Sequence, residues 1–278
     1  MADLLTHRPV AVDDPHDPRI AEYAGLRDHD LRRRRESPGG DLDGIFIVEG
    51  DLVVQRALEA GYRVRSVLID ATRKAPLPAA LPDEVTVFAA GPDVVRRITG
   101  MGVHRGMMAV MARRAVPSPE AVLGAATRIV VLEGVVNPTN LGVIARSAVA
   151  LGADGLLLDP TCVDPLYRRA SRVAMGEVFR LPYARLPRFP AGLDMVTGAG
   201  FSLLALTPDP AATSIDDLTF AADEKVALVL GAEGAGLTND TLDKVGRPAR
   251  IPIHGDVDSL NVAAAAAIAC FVLGRGRP

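Results

Sequence analysis

The stretch HGDVDSLNVAAAAAIACFVLG, from His254 to Gly274, places a polar cluster directly before five consecutive alanines. The cluster consists of Asp258, Ser259 and Asn261. Alanine forms helix readily but offers almost no side chain to pack. This composition predicts a helix that is buried all round, with its backbone close to its neighbours. If Ser259 or Asp258 caps it, the first N–H groups are available to a ligand or to a neighbouring loop.

Length and composition indicate a globular protein with more than one domain. The 278 residues exceed the roughly 100–200 residues of a typical domain. Hydrophobic residues make up 49% and charged residues 23%, which excludes a mainly disordered chain. The net charge of -3 does not indicate a polyanion partner for the chain as a whole, although a local basic face can still bind one. The run Arg32 to Arg35 is either a solvated arm or a nucleic-acid contact.

Several protein classes are excluded by specific residues. Cys162 and Cys270 lie far apart and in no Cys-x-x-Cys pair, which argues against a disulfide scaffold or a zinc site. The first residues lack the basic and apolar regions of a signal peptide. The longest apolar run, Val262 to Leu273, is shorter than the ~18 residues that a membrane span requires. We therefore expect a cytoplasmic protein with no membrane segment and no metal.

The order of predicted elements indicates an α/β architecture in two parts. Residues 1–36 are a polar arm with a short basic helix, and residues 37–115 alternate strands and helices as a small α/β domain. Residues 116–126, rich in proline and alanine, are predicted as a linker. Residues 127–278 form a second α/β series, in which VFRLPY (178–183) is predicted as a strand. Its near-continuous apolar strands indicate a mostly parallel sheet covered on both faces.

Ligands of parallel α/β sheets bind beyond the carboxyl ends of the strands, so the strand-to-loop junctions are the candidate sites. Three junctions carry unusual residues: EGVVNPTNLGVIAR (133–146), LVLGAEGAGLT (228–238) and IPIHGDVDSLNVAAAAA (251–267). In the first, Asn140 lies near a helix start and Arg146 follows two turns later. Asn140 as a simple helix cap and Arg146 as an ordinary surface residue remain the alternative interpretation.

The second junction combines glycines with a carboxylate. Gly231, Gly234 and Gly236 allow a backbone to approach a ligand closely, and Glu233 lies among them. The Gly-x-x-Gly-x-Gly spacing differs from the dinucleotide fingerprint, and no acidic residue ends a strand about 20 positions further on. These differences argue against a nucleotide-dependent oxidoreductase on the same type of sheet.

Taken together, in this order and at these separations, the three segments resemble the three motifs of the SpoU (TrmH-type) branch of the SPOUT methyltransferases. The resemblance is strong over roughly residues 125–278 and weaker over 44–112, where IVEG and VHRGMMAV are similar to the family's ribosomal-protein-like substrate-binding domain. It implies transfer of a methyl group from S-adenosyl-L-methionine to a ribose 2′-hydroxyl in rRNA or tRNA, with rRNA favoured. It also implies a homodimer and a C-terminal trefoil knot, a rare exception to the usual rules of topology.

The resemblance further implies roles for individual residues. The backbone of Gly231, Ile251 and Leu260 would hold the cofactor, and Arg172, in the stretch RRASRVAMG, would contact RNA phosphate. Asn137 stands where many members have aspartate. The residues that correspond to the catalytic positions of the family are Asn140, Arg146, Glu233, Ser259 and Asn261.

These assignments lead to a mechanistic hypothesis. Arg146 contacts the RNA by binding the phosphate beside the target ribose, and it orients the 2′-hydroxyl. Asn140 and Ser259 fix the geometry of the attack. Glu233 is the easier proton acceptor, because guanidinium stays protonated in proteins, although it could instead orient Asn140. A purely RNA-binding descendant is the competing interpretation, and the five retained chemical types argue against it. With 4% aromatic residues, RNA recognition is expected to rely on phosphate and shape rather than on stacking.

Overall fold

The computed structural model describes residues 7–26, 42–100, 106–221, 223–255 and 257–274. The chain forms two compact units, and the first unit is discontinuous in sequence. The first unit comprises Met1–Ala115 and Leu166–Phe179, and the second comprises Val116–Pro165 and Arg180–Pro278. The predicted arginine run Arg32 to Arg35 and the basic helix of the arm lie outside the described residues.

Eight α-helices lie within the described residues. They are α1 (Asp51–Glu59), α2 (Pro92–Thr99), α3 (Pro119–Ala125), α4 (Pro138–Ala150), α5 (Arg168–Val173), α6 (Leu193–Gly198), α7 (Asn239–Lys244) and α8 (Val262–Gly274). Three of them, α2, α3 and α4, begin with a proline. Proline suits the first helical turn because an N–H at that position has no partner within the helix.

The first unit contains a five-stranded mixed sheet. Its strands are β1 (Val10–Ala11), β2 (Ile45–Glu49), β3 (Val64–Asp70), β4 (Thr86–Ala90) and β5 (Met107–Ala112). Across the sheet the order is β1-β4-β3-β5-β2, and β5 is antiparallel to both of its neighbours. Every residue of the edge strand β2 is buried, because α5 of the same unit packs beside it. The continuous apolar run IFIV in β2 reflects this burial.

The second unit contains a seven-stranded sheet in which all neighbouring strands are parallel. Its strands are β6 (Arg128–Leu132), β7 (Gly155–Leu158), β8 (Tyr183–Arg185), β9 (Ser202–Leu206), β10 (Thr213–Ser214), β11 (Val226–Leu230) and β12 (Pro248–Arg250). The order across the sheet is β10-β12-β9-β11-β6-β7-β8. All residues of β6, β7 and β11 are buried. The predicted α/β fold with a mostly parallel sheet is therefore confirmed.

The segment predicted as a linker, residues 116–126, instead contains α3. Ser118 caps this helix, since its hydroxyl accepts a hydrogen bond from the Ala121 amide at 3.3 Å. Val122 and Leu123 are buried in the hydrophobic core of the second unit. The linker prediction is wrong for these residues because the apolar side chains outweigh the proline-rich composition: burying each contributes about 1.5–3 kcal/mol.

The predicted strand at 178–183 is also different in the structure. Glu177–Phe179 is a short 3₁₀ helix, and the strand of this region is β8. Before it, Met175 and Gly176 have φ angles of 54° and 82°, which interrupt an extended chain. Phe179 packs against Phe46 and Tyr62 of the first unit, with ring centroids 5.9 and 5.5 Å apart. Phe179 thus contributes to the core of the first unit, and β8 of the second sheet begins only at Tyr183.

The terminal helix α8 packs along α4. Its buried residues include Ala263, Ala266 and Ala269, which allow the two helices to approach closely. The prediction that α8 is buried all round is wrong, however, because Ile268 is 39% and Phe271 54% exposed. Those two side chains lie three residues apart and therefore share the helix face opposite the buried alanines. None of the helices in the described residues is long and apolar enough to cross a membrane.

Candidate functional site

A pocket opens in the second unit where the carboxyl ends of β9, β11 and β12 meet the start of α8. It encloses about 670 Å³ of space, part of which is open to solvent. The lining comes from the loops after the three strands and from the segment leading into α8, and its residues are Leu206, Thr207, Pro208, Leu230, Gly231, Ala232, Glu233, Gly234, Gly236, Ile251, Ile253, Ser259, Leu260, Val262 and Ala265. The position agrees with the general rule for ligand crevices in parallel sheets.

The loop after β11 folds back on itself beside this pocket. A Cβ atom added to Gly231 would lie 2.1 Å from the carbonyl carbon of Gly236, so no other residue fits at Gly231 without moving the backbone. The Gly236 amide donates a hydrogen bond to the Ala232 carbonyl at 3.0 Å and closes the loop. Gly234 and Gly236 have φ angles of 81° and 70°, a conformation that glycine adopts easily. The glycines therefore shape a cradle in which a ligand can contact main-chain atoms.

Glu133, a buried carboxylate at the end of β6, anchors the far side of the glycine loop. It accepts hydrogen bonds from the Thr238 amide at 3.1 Å and from the Thr238 hydroxyl at 2.8 Å. The Thr241 hydroxyl donates a third at 3.1 Å. Sequence analysis did not single out Glu133. The signal in the sequence is a carboxylate that ends an otherwise apolar strand and precedes a glycine.

Asn261 connects the three motifs. Its side-chain oxygen accepts hydrogen bonds from the amides of Ala263 and Ala264, at 2.9 and 3.3 Å, so Asn261 is the cap of α8. The cap is therefore neither Ser259 nor Asp258. Because the oxygen is occupied, the amide nitrogen points away from the helix. It donates to the Asn140 side-chain oxygen at 3.2 Å and to the carboxylate of Glu233.

Asn140 is buried in the first turn of α4 and is not the cap of that helix. The cap is Asn137, whose side-chain oxygen accepts a hydrogen bond from the Thr139 amide at 2.9 Å. The alternative interpretation of Asn140 as a simple cap is therefore wrong. Asn137 performs a structural role that an aspartate at the same position can also perform.

The remaining predicted cofactor residues also reach the pocket. Ile251 and Leu260 line it together with Gly231, and Ser259 lies beside Leu260. Leu260 is 37% exposed. Sequence analysis missed Thr207 and Pro208, which line the opposite wall after β9. The signal is their position directly after a predicted parallel strand.

Arg146 is not among the residues that line the pocket. It is exposed on α4 and, in the part of the chain that the structure describes, its guanidinium has no hydrogen bond or ion pair. Arg146 follows Asn140 by six positions on α4, so the two side chains point roughly 120° apart around the helix axis. Arg172 belongs to the first unit, where its Nη1 lies 2.6 Å from a carboxylate oxygen of Glu49.

The two cysteines do not take part in the site. Burial raises the pKa of both Cys162 and Cys270 to about 12, so both thiols are uncharged at neutral pH. The neighbouring Asp159 adds to the shift of Cys162. Among the described residues, no three His, Cys, Asp or Glu side chains come together as a metal site.

Comparison with known proteins gives a consistent result. The sequence profile of the SpoU rRNA Methylase family matches residues 127–271. The chain is 39% identical over 260 residues to an uncharacterized tRNA/rRNA methyltransferase of Mycobacterium tuberculosis, covering 93% of this chain and 89% of that protein. It is 31% identical over 212 residues to the 23S rRNA (guanosine-2′-O-)-methyltransferase RlmB of a Burkholderia species, covering 75% and 85%.

The similarity extends to three-dimensional structure. The crystal structure of an AdoMet-bound rRNA methyltransferase from Sinorhizobium meliloti superposes with a TM-score of 0.77 at 25% sequence identity. The match covers 96% of this chain and 97% of that one, so it includes both units.

Proposed function

The chain belongs to the SpoU rRNA methylase family, and from this premise we propose that it transfers a methyl group from S-adenosyl-L-methionine to a ribose 2′-hydroxyl of rRNA. The observation that carries the proposal is the hydrogen-bonded group of Asn140, Glu233 and Asn261, which joins all three predicted motifs at the edge of one pocket. The Burkholderia relative is a ribose methyltransferase of 23S rRNA, which favours rRNA over tRNA. With rRNA as substrate, the enzyme is expected in the cytoplasm.

The pocket has the properties that this cofactor requires. S-adenosyl-L-methionine supplies an activated methyl group on a sulfonium, which needs no metal for activation. The cradle at Gly231 would leave main-chain atoms open to the adenosine and methionine parts, since a side chain there is excluded by the fold of the loop. Ile251 and Leu260 would supply apolar contacts and main-chain hydrogen bonds from the other side. Glu233 is the residue with an anionic side chain among those that line the pocket, and it would favour a positively charged sulfonium there.

The polar residues have distinct proposed tasks. Asn261 donates hydrogen bonds to both Asn140 and Glu233, so the orientation of all three side chains depends on the amide group that caps α8. Ser259 lines the pocket and can hydrogen-bond the ribose or the cofactor. Glu233 is proposed to accept the proton of the 2′-hydroxyl. Its alternative role is to fix the orientation of Asn261. Arg146 is proposed to bind the phosphate next to the target ribose and to orient the attacking oxygen.

A homodimer is proposed for two reasons. The exposed face of α8 is apolar, and Phe271 on it is 54% exposed, as expected of a surface covered by a second protomer. Arg146 does not line the pocket of its own chain, and its guanidinium has no partner within the described residues. A dimer formed through α8 would allow Arg146 of one protomer to serve the pocket of the other, because α4 packs along α8.

The trefoil knot and the domain roles are also proposals. Small side chains on α8 and the tight return of the loop at Gly231 support the passage of the C-terminal segment through a crossing. The first unit is proposed as the RNA substrate-binding domain and the second as the SPOUT methyltransferase domain. Residues 1–36 are proposed as an RNA-binding arm that acts through the arginine run Arg32 to Arg35. Because Val10–Ala11 pairs with β4 and Tyr23 is buried, the test replaces the four arginines by glutamine and does not delete the arm; RNA affinity should weaken and its salt dependence flatten.

The experiment that tests the proposed substrate is a map of 2′-O-methylation across rRNA and tRNA in cells with and without this gene. One rRNA position that loses its ribose methyl group in the deletion strain, and regains it on complementation, supports the proposal. Loss at a tRNA position, or no loss at all, contradicts the assignment to rRNA. Complementation with Arg146→Ala serves as the catalytic control and should restore nothing.

A further inference from the structure

Glu49 holds two arginines in the first unit. This carboxylate ends β2, and its side chain is only 5% exposed. One oxygen pairs with Nη1 of Arg168, and the other lies 2.6 Å from Nη1 of Arg172. The side chain of Arg168 is 5% exposed and that of Arg172 is 50% exposed. One arginine of the trio is therefore buried with the carboxylate, and the other reaches solvent.

The charges of this trio do not balance. Arg168 alone is enough to neutralise the charge of Glu49, and Arg172 contacts the second carboxylate oxygen. Arg172 adds a second positive charge, so the trio has a net charge of +1. The excess charge lies at the half-exposed guanidinium of Arg172.

The guanidinium of Arg172 also keeps donors available. An arginine has five N–H groups in a planar fork. In the part of the chain that the structure describes, the contact of Nη1 with Glu49 is the hydrogen-bonding contact of this side chain. The free part of the fork fits a phosphate, because two parallel N–H groups match two phosphate oxygens.

The backbone that carries Arg172 is held by a second set of contacts. Nη1 of Arg56 donates a hydrogen bond to the Met175 carbonyl at 2.6 Å and lies 2.8 Å from the carboxylate of Glu177. Met175 has a φ of 54°, a conformation that residues other than glycine rarely adopt. A Cβ on Gly176 would come within 3.0 Å of the Arg56 side chain. The C-terminal end of α5 therefore has little freedom to move.

We infer that Glu49 is a positioning residue for RNA: it fixes the guanidinium of Arg172 so that the free N–H groups bind a backbone phosphate of the substrate. This inference rests on the proposed function. Fixing the side chain before binding removes the rotamer entropy that a free arginine loses when it contacts RNA.

The first unit offers a matched control pair. Nη1 of Arg65 lies 3.1 Å from Glu22, and the side chain of Arg65 is also 50% exposed. Its carboxylate partner is 31% exposed, however, so the control pair is an ordinary surface ion pair. Arg65→Met and Arg172→Met each remove one half-exposed positive charge from the same unit.

The test measures the Kd of the full-length protein for purified, deproteinised bacterial rRNA by filter binding at several salt concentrations. We expect Arg172→Met to weaken binding about tenfold and to lower the salt slope by about 0.7–0.9, the effect of one phosphate contact. Arg65→Met should change Kd less than twofold. Glu49→Gln should weaken binding in the wild-type background and add nothing in the Arg172→Met background. Glu22→Gln should have no effect in either.

Other outcomes overturn the inference. If Glu49→Gln and Arg172→Met weaken binding independently, Glu49 acts on the fold and not through Arg172. Equal effects of Arg172→Met and Arg65→Met leave only a general charge effect. Should Glu49→Gln fail to fold, Glu49→Asp keeps the charge beside Arg168 but is too short to hold both arginines, and the same non-additivity is expected. Calorimetric titration with S-adenosyl-L-methionine should give unchanged affinity in every variant.

A failure of the proposed function gives a different result from a failure of the inference alone. If the wild-type protein binds the cofactor but no rRNA, the proposed substrate is wrong, and the inference is overturned with it. Wild-type rRNA binding that does not respond to Arg172→Met overturns the inference alone.

Discussion

The side-chain amide of Asn261 donates a hydrogen bond to the side-chain oxygen of Asn140 at 3.2 Å, across 121 residues of sequence. The same amide nitrogen contacts the carboxylate of Glu233. Because its oxygen caps α8, Asn261 cannot rotate without uncapping the helix. The cap of the terminal helix and the orientation of the proposed catalytic group therefore depend on the same side chain.

Two substitutions of Asn261 separate these roles. Asn261→Ala should lower the free energy of unfolding by about 0.5–2 kcal/mol, since it removes the cap, and should abolish methyl transfer. Asn261→Ser retains a capping oxygen but loses the amide donor. We expect near wild-type stability and strongly reduced turnover for Asn261→Ser, measured by denaturant unfolding and by a methyl-transfer assay. Full activity of the serine variant would show that the link to Asn140 and Glu233 is dispensable.

The sequence predicted much of this site but not its connections. The three motifs lie at the carboxyl ends of parallel strands, so topology alone brings them to one edge of the sheet. Which residue caps α8 depends on where its first turn begins, and Asp258, Ser259 and Asn261 lie too close together in the sequence for the pattern to decide. Asn261 proved to be the cap because its side chain meets partners that are distant in sequence.

Two errors in the fold have a common cause. The proline- and alanine-rich composition of residues 116–126 is typical of a linker, and the apolar residues of 178–183 are typical of a strand. In the structure, Leu123 is buried in the second unit and Phe179 in the first. Each position is decided by packing against residues far away in sequence, which local propensity does not represent.

The exposed position of Arg146 predicts a catalytic arginine that acts across a dimer. Arg146→Ala should abolish turnover, leave cofactor affinity largely intact and change stability by less than about 0.5 kcal/mol, as usual for exposed sites. Co-expression of Arg146→Ala with Asn261→Ser, under two affinity tags, yields mixed dimers. If Arg146 serves the partner's pocket, one of the two sites in each mixed dimer is intact and activity returns. Mixed dimers as inactive as both parent variants would place Arg146 in the site of its own chain.

Glu133 is predicted to control the glycine loop. Glu133→Ala leaves the Thr238 amide and two hydroxyls without their acceptor, at a cost of about 1–3 kcal/mol. It should also weaken cofactor binding, because the loop that begins at Gly231 loses its anchor. Glu133→Gln can satisfy the amide with its oxygen and a hydroxyl with its NH₂ group, so smaller losses are expected. Equal cofactor affinity of Glu133→Ala and the wild type, by calorimetry, would exclude this role.

The buried thiols predict a pH dependence of stability. Cys162 and Cys270 have a native pKa of about 12, whereas an unfolded thiol ionises near about 8.5. Each buried thiol contributes its full share to the free energy of unfolding when the pH is below the pKa of the unfolded thiol. That share is lost as the pH rises towards about 12, because only the unfolded state then releases the protons. At pH 8 a thiol reagent should label neither cysteine in the native protein and both after unfolding. Rapid labelling of native Cys270 would show that α8 opens readily.

We propose that the pocket beside Gly231 presents a sulfonium methyl donor to the ribose of an RNA substrate. The most direct measurement incubates the full-length protein with tritium-labelled S-adenosyl-L-methionine and rRNA from cells that lack the gene, followed by alkaline hydrolysis. A ribose 2′-O-methyl group blocks cleavage at its own nucleotide, so we expect the label in an alkali-stable dinucleotide. Label in mononucleotides would mean methylation of a base, and either that result or no incorporation would contradict the account.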